Sequence, residues 1–288
     1  MNGHGVTRVD AMMATHTHLD HMGGVIGGFG NDMNGVVWDF PPDVLFDSPA
    51  KSSPSAGSSA YQEFLRSVPP ATRRVVLQRG QSSGDVADLR LDPDVRIVVL
   101  NSGTPPNYQF TGHDGTDTNN ESIVLRFSYG DVDFVIGGDA EDANEGSIVQ
   151  AFAAADLEVE FAKVHHHGLP DASSSAWVNV LKPRVAFIPN TQLVWNGNLA
   201  EAVSESSGRM TGIGAHVYAV DDAPALGRPR PPYTVPVRNG PQFNISFVTD
   251  GVSYEVRLEV ATQSVPLKPD TTNECGQHAD ASAKPRVH

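Results

Sequence analysis

Four groups able to bind a metal ion stand within six residues near the start of the chain. In Thr15-His16-Thr17-His18-Leu19-Asp20-His21, the candidate ligands His16, His18, Asp20 and His21 follow Val6–Thr15, which reads as a short strand, and precede Met22-Gly23-Gly24. In an extended segment His16 and His18 project to one side, and a turn after Leu19 brings Asp20 and His21 to a neighbouring point. That pattern suits two adjacent cations, because imidazole pairs favour zinc-type ions and a carboxylate adds charge neutralisation. A solvated His-rich loop is the alternative, and it accounts better for one or two histidines than for four donors at this spacing.

Two later segments end in similar groups. Phe134-Val135-Ile136-Gly137-Gly138-Asp139 is an apolar strand ending in a carboxylate able to bridge two cations, although Gly-Gly-Asp is also ordinary turn chemistry. Lys163-Val164-His165-His166-His167-Gly168 runs from a strand into three histidines, readable as a surface loop or as ligands. Three strands that each end in metal-type groups are expected where one edge of a sheet presents a common site.

Composition narrows the chemistry further. The 288 residues are 39% hydrophobic, enough for a substantial core. With 20 basic and 34 acidic side chains the net charge is −14, which argues against a basic nucleic-acid clamp. A single cysteine, Cys275, excludes an internal disulfide framework and Cys-rich zinc modules, leaving histidine and carboxylate as ligands. Apolar runs such as Val95–Leu100 fall far short of the ~20 residues that cross a bilayer, and Met1–Asp10 lacks the features of a secretory signal. The expectation is a soluble chain, with the cytoplasm favoured.

The elements that must position these groups follow from periodicity. Strands are expected at Arg73–Leu77, Val95–Leu100, Ile123–Ser128, Val132–Ile136, Val159–Val164, Val185–Ile188, His216–Val220, Asn244–Val248 and Ser253–Glu259. Tyr129-Gly130-Asp131 and Asp250-Gly251 mark hairpin turns. Helices are expected at Ala60–Val68, Glu141–Leu157, Ser173–Leu181 with Ser173 as N-cap, and Leu199–Ser206. Gly23–Pro42, Lys51–Ser59 and Asn101–Asn120 read as loops, the last a long surface loop, and residues 263–288 as a disordered polar tail after a domain spanning 1–262. The class is mixed α/β.

Together the His16–His21 motif, the strand-end Asp139 and the His166-His167-Gly168 element resemble the metallo-β-lactamase superfamily. More narrowly, Asn119-Asn120-Glu121-Ser122-Ile123-Val124-Leu125, Gly137-Gly138-Asp139-Ala140-Glu141 and Lys163–Gly168 are similar to the hydrolase domain of ComEC-type competence proteins. The resemblance implies a four-layer αββα sandwich with a dinuclear site at one edge, although the strands that precede the first motif in the family are not seen ahead of Val6. It implies that His16 and His18 serve one metal and Asp20 and His21 the other, with Asp139 bridging and His166 completing the second site. His167 then contacts the metal ligands from behind or touches the substrate. Two divalent ions are implied, zinc first and manganese second.

The chain departs from the family where a middle histidine is expected before the Ser122–Leu125 strand. Asn119 and Asn120 stand there, as in the ComEC-like group, and an amide oxygen is a poorer zinc ligand than imidazole. His113 is a possible substitute. His18 itself stands where ComEC-like domains often carry Asp.

This reading is a metal-dependent hydrolase in which water at the cations loses a proton near neutral pH and attacks a phosphorus or carbonyl centre. Asp20 orients the nucleophile as well as binding metal, and His167 contacts the substrate oxyanion. The ComEC resemblance favours phosphodiester bonds in nucleic acids or nucleotides; the wider family leaves amide, ester and thioester bonds open. Without a basic stripe, the expected partner is a small or single-stranded anionic substrate, with little affinity for duplex DNA. Tyr108, Phe110, Trp177 and Trp195 offer stacking surfaces or simply core packing. The competing classes are a binding or scaffold protein of the same fold that has lost turnover, and a one-metal redox or oxygen-binding protein.

Overall fold

The computed structural model describes residues 7–26, 35–47, 62, 65–66, 68–103, 117–189, 199–219, 234–236 and 243–260. The loop at 51–59, most of the 60–68 helix, His113, Tyr108, Phe110, Trp195 and the tail at 263–288 lie outside or largely outside the described residues. Strands and helices alternate through much of the chain, so the expected mixed α/β class is present. Among the described residues no helix is long and apolar enough to cross a membrane.

Two compact units divide the chain. The first takes the described residues up to Arg90 with Ile97–Arg126 and Ile136–Phe152; the second takes Leu91–Arg96, Phe127–Val135 and the described residues from Ala153 onward.

In the first unit, β1 (Ala11–Ala14), β2 (Val44–Asp47) and β3 (Arg73–Val76) form a parallel three-stranded sheet in that order. Helices α1 (Leu19–Ile26) and α2 (Val36–Asp39) fall between β1 and β2. The opening strand is thus four residues long, shorter than Val6–Thr15. The glycine-rich segment after it is partly helical: His21 and Met22 donate their backbone N–H groups to the His18 carbonyl, starting α1. Met22, fully buried against Ala14 and Leu45, supplies the apolar anchor that outweighs the helix cost of Gly23 and Gly24, about 1 kcal/mol each.

A seven-stranded sheet runs in the order β10-β9-β8-β7-β6-β5-β4: β4 (Val95–Asn101), β5 (Val124–Tyr129), β6 (Val132–Gly137), β7 (Phe161–Lys163), β8 (Val185–Ile188), β9 (His216–Ala219) and β10 (Thr234–Pro236). Pairing from β6 to β10 is parallel throughout. Between these strands lie α3 (Asp117–Asn120), α4 (Asp142–Ala151), α5 (Ser175–Leu181) and α6 (Leu199–Gly212). An antiparallel hairpin of β11 (Phe243–Thr249) and β12 (Tyr254–Val260) closes the described chain.

Period-two alternation sorts the second unit into layers. Ala186, Ile188 and Val217 bury against Val178 of α5 and Met210 of α6. Their neighbours Val185, Phe187 and Tyr218 instead pack against Ile245, Phe247, Tyr254 and Val256 of the hairpin. Helices therefore cover one face of these strands and the β11–β12 hairpin covers the other. The two expected turns also meet here. Gly130 adopts φ 57°, and a Cβ there would run into the Gly251 carbonyl, which accepts a 2.6 Å hydrogen bond from Asp131 N.

Several boundaries differ from the sequence reading. The helix expected over Glu141–Leu157 ends at Ala151, where Phe152 turns extended and a separate 3-10 turn follows at Ala154–Asp156. Ser174 is the N-cap of α5, its hydroxyl accepting from Trp177 N at 3.3 Å. Ser173 takes a left-handed φ of 52°, so it cannot hold the extended cap conformation. Helix α6 runs two turns beyond Ser206, anchored by buried Met210. The 101–120 segment is not surface loop at its ends: Asn101, Asn119 and Asn120 are buried. Finally, β1 belongs to a different sheet from β6 and β7, so the three ligand-bearing strand ends do not share one sheet edge.

Candidate metal centre

Chain reversal after β1 assembles most of the site. Thr15–His18 leave the strand without forming helix, and α1 starts at Leu19, so Asp20 and His21 rise on its first turn. Asp20 there complements the positive end of the helix dipole. His16 is fully buried, whereas Asp20 keeps its carboxylate largely exposed.

Donor atoms from these residues converge on the end of β6. His16 Nε2 lies 3.2 Å from His18 Nδ1 and 3.8 Å from Asp139 Oδ2. His21 Nε2 lies 2.9 Å from Asp139 Oδ2 and 3.5 Å from Asp20 Oδ2. Asp20, His21 and Asp139 each offer a ligand atom within 4.8 Å of the others. Two ligands bound at about 2.0–2.1 Å to a tetrahedral ion stand roughly 3.3–3.4 Å apart, so these separations suit a shared cation. Protonation points the same way. Burial, reinforced by the neighbouring His21, pushes the His16 pKa well below the usual imidazole range, against a smaller opposing pull from Asp139. His16 is therefore neutral, the form that binds metal.

Asp139 is itself buried, and the glycine before it is required by a close approach. A Cβ on Gly138 would sit 2.6 Å from both Ser122 Oγ and Thr15 Oγ1. Those two hydroxyls each lie 3.2 Å from His16 Nδ1, and Ser122 Oγ also accepts the Asp139 N–H at 2.8 Å. Ile123 N donates to the Thr15 carbonyl at 2.9 Å, tying β1 to the start of β5.

The asparagines at the position of the absent middle histidine are engaged elsewhere. Asn119 and Asn120 donate through Nδ2 to the two oxygens of Glu141, at 2.9 and 3.1 Å, and Glu141 N donates back to Asn120 Oδ1 at 3.1 Å. Asn101 and Asn144 extend this buried network to the Asn120 carbonyl, and Arg79 reaches both of them.

In the second unit β7 leads into a strained turn. His166, His167 and Gly168 take φ of 44°, 54° and 80°, three left-handed residues in succession. Each non-glycine residue there costs about 1–2 kcal/mol. His165 is not a ligand candidate in this arrangement, since it is buried against Trp177 with ring centroids 5.4 Å apart. Trp177 is correspondingly core, not a stacking platform. His166 Nδ1 pairs with Asp171 Oδ1 at 2.8 Å, and His167 Nδ1 donates to the Pro189 carbonyl at 3.0 Å. Arg209 holds the turn from α6: its guanidinium donates to the carbonyls of Ser173 (2.7 Å), Ala172 (2.9 Å) and Pro170 (3.4 Å), while Ser206 Oγ donates to Leu169 O at 3.0 Å.

The first unit thus brings together five of the expected site residues, His16, His18, Asp20, His21 and Asp139; His166 and His167 lie on the second unit's turn. Sequence reading missed the supporting groups. Ser122 sat inside a quoted motif without a role, whereas Asp171 and Arg209 follow no spacing rule that marks them.

Over 105 residues, 36% of this chain, the sequence is 27% identical to ComE operon protein 3 of Bacillus subtilis (strain 168). The chain is similar to one part of that protein. The match spans 12% of the relative's length. It agrees with the ComEC-type resemblance carried by the motifs. A solved structure from Thermotoga maritima, described as belonging to the metallo-beta-lactamase superfamily, is 15% identical, covers 52% of this chain and 60% of that one, and has a TM-score of 0.23. No family model matches the chain.

Proposed function

We propose that the chain is a metal-dependent hydrolase whose dinuclear site takes His16, His18, Asp20, His21 and Asp139 from the first unit, with His166 added by the motif resemblance. The observation that carries this reading is the convergence of His16 Nε2, His18 Nδ1, His21 Nε2 and the Asp20 and Asp139 carboxylates at separations suited to shared cations. Divalent ions, zinc first and manganese second, supply Lewis acidity and a water acidic near neutral pH when bound. The protein's own groups do the rest. Buried neutral His16 presents a lone pair without a proton to displace; Asp139 offsets the cation charge inside the fold. Asp20, exposed at the head of α1, orients the attacking water and accepts its hydrogen bond. His167 contacts a substrate oxygen.

For substrate, the ComEC-type resemblance supports phosphodiester bonds, and the net charge of −14 supports a small or single-stranded anion over duplex DNA. Metal analysis of the purified chain, followed by hydrolysis assays on dinucleotide, single-stranded and duplex substrates with Zn²⁺ or Mn²⁺, tests this. Two ions per chain with cleavage of the first two substrates is the expected result; a chain that takes up neither ion sinks the proposal. One observation favours a second reading, a binding protein of the same fold without turnover: at the position of the missing ligand, the amide oxygen of Asn120 accepts the Glu141 N–H. Metal uptake without cleavage of phosphodiester, amide, ester or thioester substrates would select it.

A further inference from the structure

We infer that Ser122 is a positioning residue that sets both the tautomer of His16 and the placement of Asp139, so that one hydroxyl aligns two ligands from opposite ends of the first unit. The inference rests on the metal-site reading above and extends it to a residue with no metal contact of its own.

Ser122 is fully buried, and its Oγ faces two groups at once: the Asp139 backbone N–H at 2.8 Å and His16 Nδ1 at 3.2 Å. A serine hydroxyl has two acceptor sites and one proton. One acceptor site takes the Asp139 N–H. With the second accepting a hydrogen bond from His16 Nδ1–H, the lone pair of the neutral ring lies on Nε2. That nitrogen faces His18 Nδ1 and Asp139 Oδ2, the atoms with which it would share a cation. The opposite tautomer would put a hydrogen on Nε2, between the donors, and block it as a ligand. Thr15 Oγ1, also 3.2 Å from Nδ1, backs the same contact but does not reach Asp139.

Sequence chemistry around the hydroxyl agrees. Gly138 leaves the room Ser122 and Thr15 occupy, since a Cβ there would overlap both hydroxyls. Asn101 Nδ2 donates to the Ser122 carbonyl at 2.8 Å, holding the residue from its other side. Hydrogen-bond partners of a metal-binding histidine fix its ring orientation and typically govern metal affinity by 10–100-fold.

The test uses zinc as the probe, with two readouts that do not depend on turnover. In zinc-loaded wild-type protein, imidazole ¹⁵N shifts should report His16 protonated at Nδ1 and unprotonated at Nε2. Ser122→Ala should keep its circular dichroism spectrum and lose about 10–100-fold in zinc affinity, measured by chelator competition. Thr15→Val, which removes only the backing contact, should lose less. Zinc bound through His16 Nδ1 overturns the inference, as does a folded Ser122→Ala with wild-type affinity, or a Thr15→Val loss as large as that of Ser122→Ala. If Ser122→Ala does not fold, the wild-type tautomer still decides. A wild-type chain that takes up no zinc overturns the metal-site reading itself, a result distinct from tight zinc binding that ignores Ser122.

Discussion

The His16–His21 segment and the His166–Gly168 turn both present imidazoles, yet they hold them by opposite means. In the first, backbone conformation is ordinary: a strand, a short extended passage and a helix start, with ring orientation fixed by the hydroxyls of Thr15 and Ser122. In the second, the backbone carries the constraint: three consecutive left-handed residues lead into a segment whose carbonyls, at Leu169, Pro170, Ala172 and Ser173, accept from Arg209 and Ser206. A buried donor cluster can be aligned by side chains because close packing already limits their movement. Strain in the left-handed turn persists only where the surrounding structure over-determines the backbone.

The comparison can be broken first at the ligands. His18→Ala and Asp139→Ala are expected to remove metal uptake and lower hydrolysis by at least the ~10²–10³-fold that loss of one electrostatic group costs; metal analysis and single-turnover rates check this. A variant retaining wild-type rates would detach the first segment from function.

Next in size is the clamp. Arg209→Ala removes charged hydrogen bonds to three carbonyls and should destabilise the protein by about 2–4 kcal/mol in urea unfolding. Arg209→Lys should recover little of it, because one ammonium cannot reproduce the planar fork. An effect within ~0.5 kcal/mol would mean the turn holds itself.

Gly138→Ala tests the packing of the first segment more gently. Its methyl group meets Ser122 and Thr15, so a loss of about 1–3 kcal/mol in thermal unfolding is expected, together with weaker zinc binding. The smallest effect has the opposite sign. Lys182, at the end of α5, also has a left-handed φ, 45°, but its side chain is exposed and its only ion pair is a loose 4.0 Å contact with Glu158 among the described bonds. Lys182→Gly should stabilise the protein by about 0.5–1 kcal/mol. A loss instead would show that left-handed residues in this unit are supported away from the histidine turn as well.

What the sequence could disclose follows from how locally each feature is encoded. β8 was legible to the residue because Val185-Ala186-Phe187-Ile188 is an apolar run bounded by Pro183 and by a polar stretch. The hairpin turns at Gly130 and Gly251 were legible because positive φ selects glycine. β2 was not, although Val44–Asp47 is buried along its length: only three of its residues are apolar, and the buried Asp47 that completes it reads as loop in sequence. α1 was missed because Gly23 and Gly24 argue against helix, while the burial of Met22 that overrides them is a tertiary fact. Within the site, the donors were legible as residue types at telling spacings. Their supports were not, because Ser122 acts on His16 across 106 positions and Arg209 acts on the turn through backbone carbonyls, which every residue possesses.

The bond between His21 and Asp139 spans 118 positions of sequence. During synthesis the His16–His21 imidazoles leave the ribosome long before Asp139 exists, so this cluster of donors cannot be completed cotranslationally until the β5–β6 hairpin has emerged. Premature termination anywhere between those points would release a chain bearing the histidines without their carboxylate, which makes synthesis past Asp139 the step on which the cluster depends.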